Sequence, residues 1–112
     1  MGFDLYPRRK NVEPVSFNGF MWAGMMDTGI GLVIGAGDGG GGQWFFCGEG
    51  ENPFFNDGAR VSAPDARVMA RCASTEALRL VTIGEHVEAS HLVKSLKKFA
   101  AFAAESGGFE IR

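Results

Sequence analysis

Glycines near the middle of the chain have the spacing of a phosphate-binding loop. Gly35, Gly37 and Gly40 form the pattern Gly-x-Gly-x-x-Gly directly after the apolar residues 30–34. In dinucleotide-binding folds, such glycines let backbone N–H groups approach a pyrophosphate at the start of a helix. Here more glycines and an aromatic run follow in place of a helix, so no helix dipole would attract the anion. The pattern therefore predicts a hairpin tip, and a site for a small ligand or nucleotide stays an alternative. That site would use Gly37, Asp38, Gly40 and Arg60.

Two cysteines and two histidines are the residues best suited to bind a metal or attack a substrate. They are Cys47, Cys72, His86 and His91. Zinc sites usually draw ligands from close pairs such as Cys-x-x-Cys, and the sequence has no such pair. A cysteine nucleophile needs a base in contact with it, which spacing along the chain does not establish. The sequence accordingly predicts no catalytic residue, no metal and no cofactor, and an enzyme with an unrecognised site stays a further alternative.

Aromatic and acidic residues are interleaved between residues 44 and 57. A strand in a sheet that has one solvent-exposed face buries only alternate side chains, so some of these aromatics are expected at the surface. Aromatic anchors dominate the binding energy of many protein interfaces. The predicted binding residues are Trp44, Phe45, Phe54, Phe55, Glu49, Glu51 and Asp57. The alternative is that these aromatics cap the core of a small domain.

Charge and composition narrow the classes of partner. The 112 residues include 11 basic and 13 acidic side chains, for a net charge of −2. This balance gives no general attraction to nucleic acid or to an anionic membrane. No apolar run reaches the ~20 residues of a membrane helix, and the N-terminus lacks the apolar stretch of a signal peptide. We therefore expect a cytoplasmic protein with reduced cysteines, no nucleic-acid ligand and no membrane contact.

The first half of the chain predicts a strand, a helix and a hairpin. Residues 2–6 alternate as a strand, and Ser16 is predicted to cap a helix that runs to about Thr28. The apolar face of that helix would comprise Phe17, Phe20, Met21, Trp22, Met25 and Met26. Residues 30–34 and 43–47 are strand-like, and the glycine-rich stretch between them predicts a central hairpin.

The second half contains the clearest start and stop signals. Ser62 with Asp65 three residues later is a capping-box variant, and Gly107 stops a later helix. The predicted elements are an extended piece at residues 59–61, helices at 63–80 and 90–106, and a strand at 109–111. Chain ends often meet, so this last strand is expected to pair with the first. The prediction is one α+β domain over residues 1–112, in which a small antiparallel sheet packs against about three helices.

Several patches of the chain resemble small uncharacterised proteins of bacteriophages and bacterial genomes. They are Met-Gly-Phe-Asp-Leu-Tyr at residues 1–6, the turn at 56–58 leading into 61–63, residues 66–70, and the end at residues 99–111. The resemblance implies a phage or prophage context and transfers no catalytic residue. With that context, the sequence predicts a non-enzymatic protein that binds a host protein in the bacterial cytoplasm, with inhibition of a defence system as one form. A homo-oligomer is compatible with the sequence.

Overall fold

The computed structural model describes residues 2–26 and 59–112 of the chain. These residues contain four strands and three helices. They are β1 (Gly2–Pro7), β2 (Val15–Asn18), α1 (Gly19–Met26), β3 (Ala59–Val61), α2 (Ala63–Thr82), α3 (His91–Ser106) and β4 (Phe109–Ile111). The strands form one antiparallel sheet in the order β2-β1-β4-β3. The predicted α+β class is confirmed. The predicted central hairpin lies outside the described residues.

The first and last strands lie side by side in the middle of the sheet, as predicted. Leu5 is opposite Ile111, and Tyr6 is opposite Glu110. The backbones of Asp4 and Arg112 exchange two hydrogen bonds of 2.8 Å each. Because successive side chains of a strand point to opposite faces, this register gives the sheet an apolar inner face and a polar outer face.

The inner face of the sheet and the three helices share one core. The strand residues that supply it are Leu5, Phe17, Val61, Phe109 and Ile111, all buried. Phe99 of α3 lies at the centre of an aromatic cluster, with its ring 6.0 Å from that of Trp22 and 5.9 Å from that of Phe109. Both contacts are edge-to-face, the arrangement that aromatic quadrupoles favour.

The two long helices begin and end much as their sequence signals predict. The Ser62 hydroxyl accepts a hydrogen bond from the Asp65 N–H at 3.3 Å, and Ser90 caps α3 in the same way through Val93. Gly107 ends α3 with φ of 70°, in the left-handed region that glycine tolerates. The buried stripe of α2 consists of Ala66, Met69, Ala70, Ala73, Ala77 and Leu80.

The predicted start of the first helix is wrong. Ser16 lies within β2, where its hydroxyl donates to Asp4 at 2.6 Å. The side-chain Oδ1 of Asn18 caps α1 by accepting from the Met21 N–H. Residues 15–18 alternate in register with β1, and this strand pairing overrides their helical spacing. Phe20 is consequently 89% exposed instead of buried. The predicted end near Thr28 lies outside the described residues.

Candidate functional site

The outer face of the sheet carries a cluster of charged residues around one aromatic ring. Tyr6, Glu110 and Arg60 occupy directly opposed positions on β1, β4 and β3. Arg112 follows two residues after Glu110 and therefore points to the same face. Its guanidinium carbon lies 5.1 Å from the centre of the Tyr6 ring, within the range of a cation–π contact.

Glu110 forms ion pairs with two of these arginines. The Arg112 Nε donates to the Glu110 carboxylate at 2.7 Å, and the Arg60 Nε lies 4.0 Å from the other carboxylate oxygen. The hydrogen bond from Arg112 lowers the pKa of Glu110 below its ordinary value, against the opposing effect of burial, and the charges of Arg112 and Arg60 lower it further. Glu110 therefore stays ionised down to a more acidic pH than a free glutamate.

Arg8 reaches the same region from the turn after β1. Its backbone N–H donates to the Gly108 carbonyl at 2.9 Å. Gly108 has φ of 102°, and a Cβ there would lie 2.8 Å from the Val61 carbonyl oxygen and 3.0 Å from the Arg8 Cδ. The buried Ser106 hydroxyl accepts from the Gly108 N–H, which fixes the turn between α3 and β4. Only glycine at position 108 allows this close approach.

A cleft of about 650 Å³ opens among these side chains. We call it the arginine cleft. Its lining includes one tyrosine, three arginines and two acids, namely Tyr6, Arg8, Arg60, Asp65, Glu110 and Arg112. Three guanidinium groups face two carboxylates there, so the lining has a net positive charge on a chain whose overall charge is negative. Ser62 also borders the cleft, which brings the positive end of the α2 dipole to it.

The residues considered for metal binding or nucleophilic attack are not gathered into a site within the described part of the chain. Cys72 is half-buried on α2, His86 lies in the connection after α2, and His91 is the exposed first residue of α3. No group of three or more His, Cys, Asp or Glu side chains suited to a metal occurs in residues 2–26 and 59–112. Cys47 lies outside these residues.

Of the predicted site residues, the structure describes only Arg60, and it places Arg60 in the arginine cleft. The others lie outside the described residues: Trp44, Phe45, Phe54, Phe55, Glu49, Glu51, Asp57, Gly37, Asp38 and Gly40. Tyr6, Arg8, Glu110 and Arg112 were not predicted as site residues. For Tyr6, Glu110 and Arg112 the signal was present, because pairing the two terminal strands puts their polar alternate residues on one face.

Comparison with protein-family models, with curated proteins and with solved structures found no match for this chain. Among residues 2–26 and 59–112, the helices lack the combination of length and apolarity that crossing a bilayer requires. The arrangement of the cleft is therefore the basis for any functional conclusion. Chemically, it offers guanidinium donors to an anion and an aromatic ring to a neighbouring apolar group.

Proposed function

We propose that this protein acts by binding, without a chemical step, and that it takes an acidic segment of a partner protein into the arginine cleft. One observation supports this most directly. Three arginines, drawn from the turn after β1, from β3 and from the end of β4, line a single open cleft around Tyr6. Residues that are distant in the sequence thus bring positive charge together in the arginine cleft.

The Arg112 guanidinium has donors to offer an incoming anion. Arg112 uses its Nε for Glu110, and a guanidinium has five N–H donors in a planar fork. That fork matches both oxygens of a carboxylate, which makes arginine the usual residue for recognising carboxylates at interfaces. Glu110 orients Arg112 and Arg60 beforehand, so less side-chain freedom is lost on binding.

The carboxylates of the cleft favour a protein over a nucleic acid as the ligand. Asp65 and Glu110 would repel a chain that carries a negative charge at every unit. An acidic polypeptide places uncharged residues between its acids and can avoid them. Tyrosine and arginine are also the residue types enriched in protein interfaces and among their energetic hot spots.

A narrower form of the proposal names the partner as a protein of a bacterial host and the effect as inhibition of a defence system. Its support is the resemblance of the terminal and central segments to phage and bacterial proteins. The cytoplasm of the host would then be the site of action. A small-ligand role remains the second candidate, because Arg60 lines the cleft and was the arginine assigned to that ligand.

The test is a selection from a random peptide library on the wild-type protein. Peptides of about twelve residues, long enough to cross the cleft when extended, would be displayed and enriched. We expect Asp and Glu to predominate in the selected peptides. Their affinity should fall by about tenfold or more, a change of about 1.4 kcal/mol, in Arg60→Ala/Arg112→Ala.

The matched control is Arg79→Ala/Lys94→Ala, which removes the same charge from exposed positions outside the cleft. This variant should keep the affinity of the wild type, apart from a small electrostatic change that disappears when the salt concentration is raised. Selection of apolar or basic peptides, or equal losses in the two double variants, would refute the proposal. Selection of no peptide, together with a thermal shift by a small anion that Arg60→Ala abolishes, would favour the small-ligand role instead.

A further inference from the structure

A second cleft lies between α2 and α3, with a volume of about 710 Å³. We call it the helix groove. Ala70, Ala100 and Ala104 give it small side chains where the two helices pack, and Arg67 and Arg71 border it. These small side chains leave room between the two arginines and α3 for an extended chain to lie against the helices.

Arg67 and Arg71 are one helical turn apart, and both are exposed. Like charges at this spacing repel each other on a helix surface. Arg79 of the same helix is bound by Glu76 at 2.5 Å, whereas no carboxylate of the described residues forms an ion pair with Arg67 or Arg71. The helix thus presents two adjacent cations whose repulsion an added anion would relieve.

The helix groove and the arginine cleft both draw lining residues from the start of α2. Ser62 and Asp65 border the arginine cleft, and Pro64 and Arg67 border the helix groove. We infer that the acidic segment of the proposed function continues past the start of α2 into the helix groove, where two of its acids meet Arg67 and Arg71. This inference rests on the proposed function and adds the charge pattern of the partner.

The spacing of the two arginines predicts the spacing of the acids. Four residues of α-helix rise by about 6 Å, and two residues of an extended chain span about 6.6 Å. Acids two positions apart therefore match Arg67 and Arg71. Asp65 lines the arginine cleft in the first turn of α2 and disfavours a partner acid opposite it. The expected partner has an acid-x-acid pattern, an uncharged stretch, and a further acid for the arginine cleft.

The experiment measures fluorescence anisotropy of a peptide selected on the wild-type protein. We expect Arg67→Gln/Arg71→Gln to weaken binding by about fivefold to tenfold, and Arg79→Gln/Lys94→Gln to leave it nearly unchanged. Moving the paired acids from alternate to adjacent positions in the peptide should give a similar loss on the wild type and little further loss on Arg67→Gln/Arg71→Gln. Asp65→Asn should bind the peptide more tightly.

The failures of the two proposals give different results. If Arg60→Ala/Arg112→Ala weakens binding and Arg67→Gln/Arg71→Gln does not, the partner is confined to the arginine cleft and this inference is wrong. If neither weakens binding, the proposed function itself fails. A single-stranded DNA of equal charge that binds as tightly, with the same dependence on Arg67 and Arg71, would replace the acidic protein by a nucleic acid. Thermal melting of each variant checks that it folds.

Discussion

The two faces of the sheet are built from the same strands but have opposite properties. On the inner face, Leu5, Phe109 and Ile111 are at most 1% exposed. On the outer face, their neighbours Tyr6 and Glu110 stay in contact with solvent and form part of a charged cleft. Since side chains alternate along a strand, one residue step separates a position that holds the fold from one that is placed to bind. Stability and binding should therefore respond to different substitutions within one strand.

The largest expected effect is on the inner side, at Phe99. Its ring contacts those of Phe17, Trp22 and Phe109, and it is fully buried. Phe99→Ala should lower the free energy of unfolding by about 3–5 kcal/mol, since it removes a large apolar group and leaves a cavity. Urea denaturation measures this change. A loss below about 1 kcal/mol would mean that this cluster is not the centre of the core.

The next effect is at Gly108, which connects the two faces. An alanine there would place its Cβ 2.8 Å from the Val61 carbonyl oxygen at φ of 102°. Gly108→Ala should destabilise the protein by about 1–3 kcal/mol, the usual cost of such backbone strain. It should also displace Arg8, whose Cδ lies 3.0 Å from the same point. The melting temperature measured by calorimetry and the affinity for the peptide should both change. A substitution confined to one face of the sheet is expected to change only one of the two.

A smaller effect is expected at the cap of α2, beside the arginine cleft. Ser62→Ala removes the acceptor of the Asp65 N–H and should reduce stability by about 1 kcal/mol. Ser90→Ala removes the equivalent cap of α3, away from the cleft, and is the matched comparison. Both variants should lower the melting temperature similarly. Only Ser62→Ala should also weaken peptide binding, and equal binding losses would contradict this difference.

The outer face should tolerate substitution almost without loss of stability. Arg60→Ala/Arg112→Ala removes exposed side chains, and surface ion pairs contribute about 0–1 kcal/mol. We expect the urea midpoint of this variant to stay close to that of the wild type while peptide affinity falls. A large loss of stability would show that the two faces of the sheet do not separate stability from binding.

The smallest effect concerns pH and Glu110. Its folded-state pKa is lowered, first by the Arg112 hydrogen bond, so its contribution to stability is present above its unfolded pKa and is lost as pH falls through the folded pKa. NMR titration should give a Glu110 midpoint below that of an unstructured glutamate. Arg112→Ala should raise this midpoint toward the ordinary value. An unchanged midpoint would mean that Arg112 does not hold the carboxylate.

The elements with local signals were predictable, and those that depend on pairing were not. Ser62 begins its helix as predicted, because capping is a short-range hydrogen bond that the sequence displays directly. The position of Ser16 was predicted wrongly because its neighbours fit the spacing of a helix as well as the alternation of a strand. Only the presence of β1 alongside, with Phe3 opposite Phe17, decides between the two.

The candidate site was less predictable than the fold because its residues come from distant parts of the chain. Arg8, Arg60 and Arg112 have no common motif, and each alone resembles an ordinary solvated cation. Their juxtaposition follows from the order of β1, β4 and β3 in the sheet and from the close contact of Arg8 with Gly108. Strand order of this kind is a tertiary property that periodicity along one segment does not contain.

The pairing of β1 with β4 also sets when this protein can fold during synthesis. β1 leaves the ribosome well before β4, and in the described part of the chain it then has β2 as its strand neighbour. A two-stranded hairpin alone is marginally stable in water, so the nascent chain is expected to expose Leu5 and Phe17 until Phe109–Ile111 arrives. Chaperones that shield apolar strands would have their greatest effect in that interval, before β4 is translated.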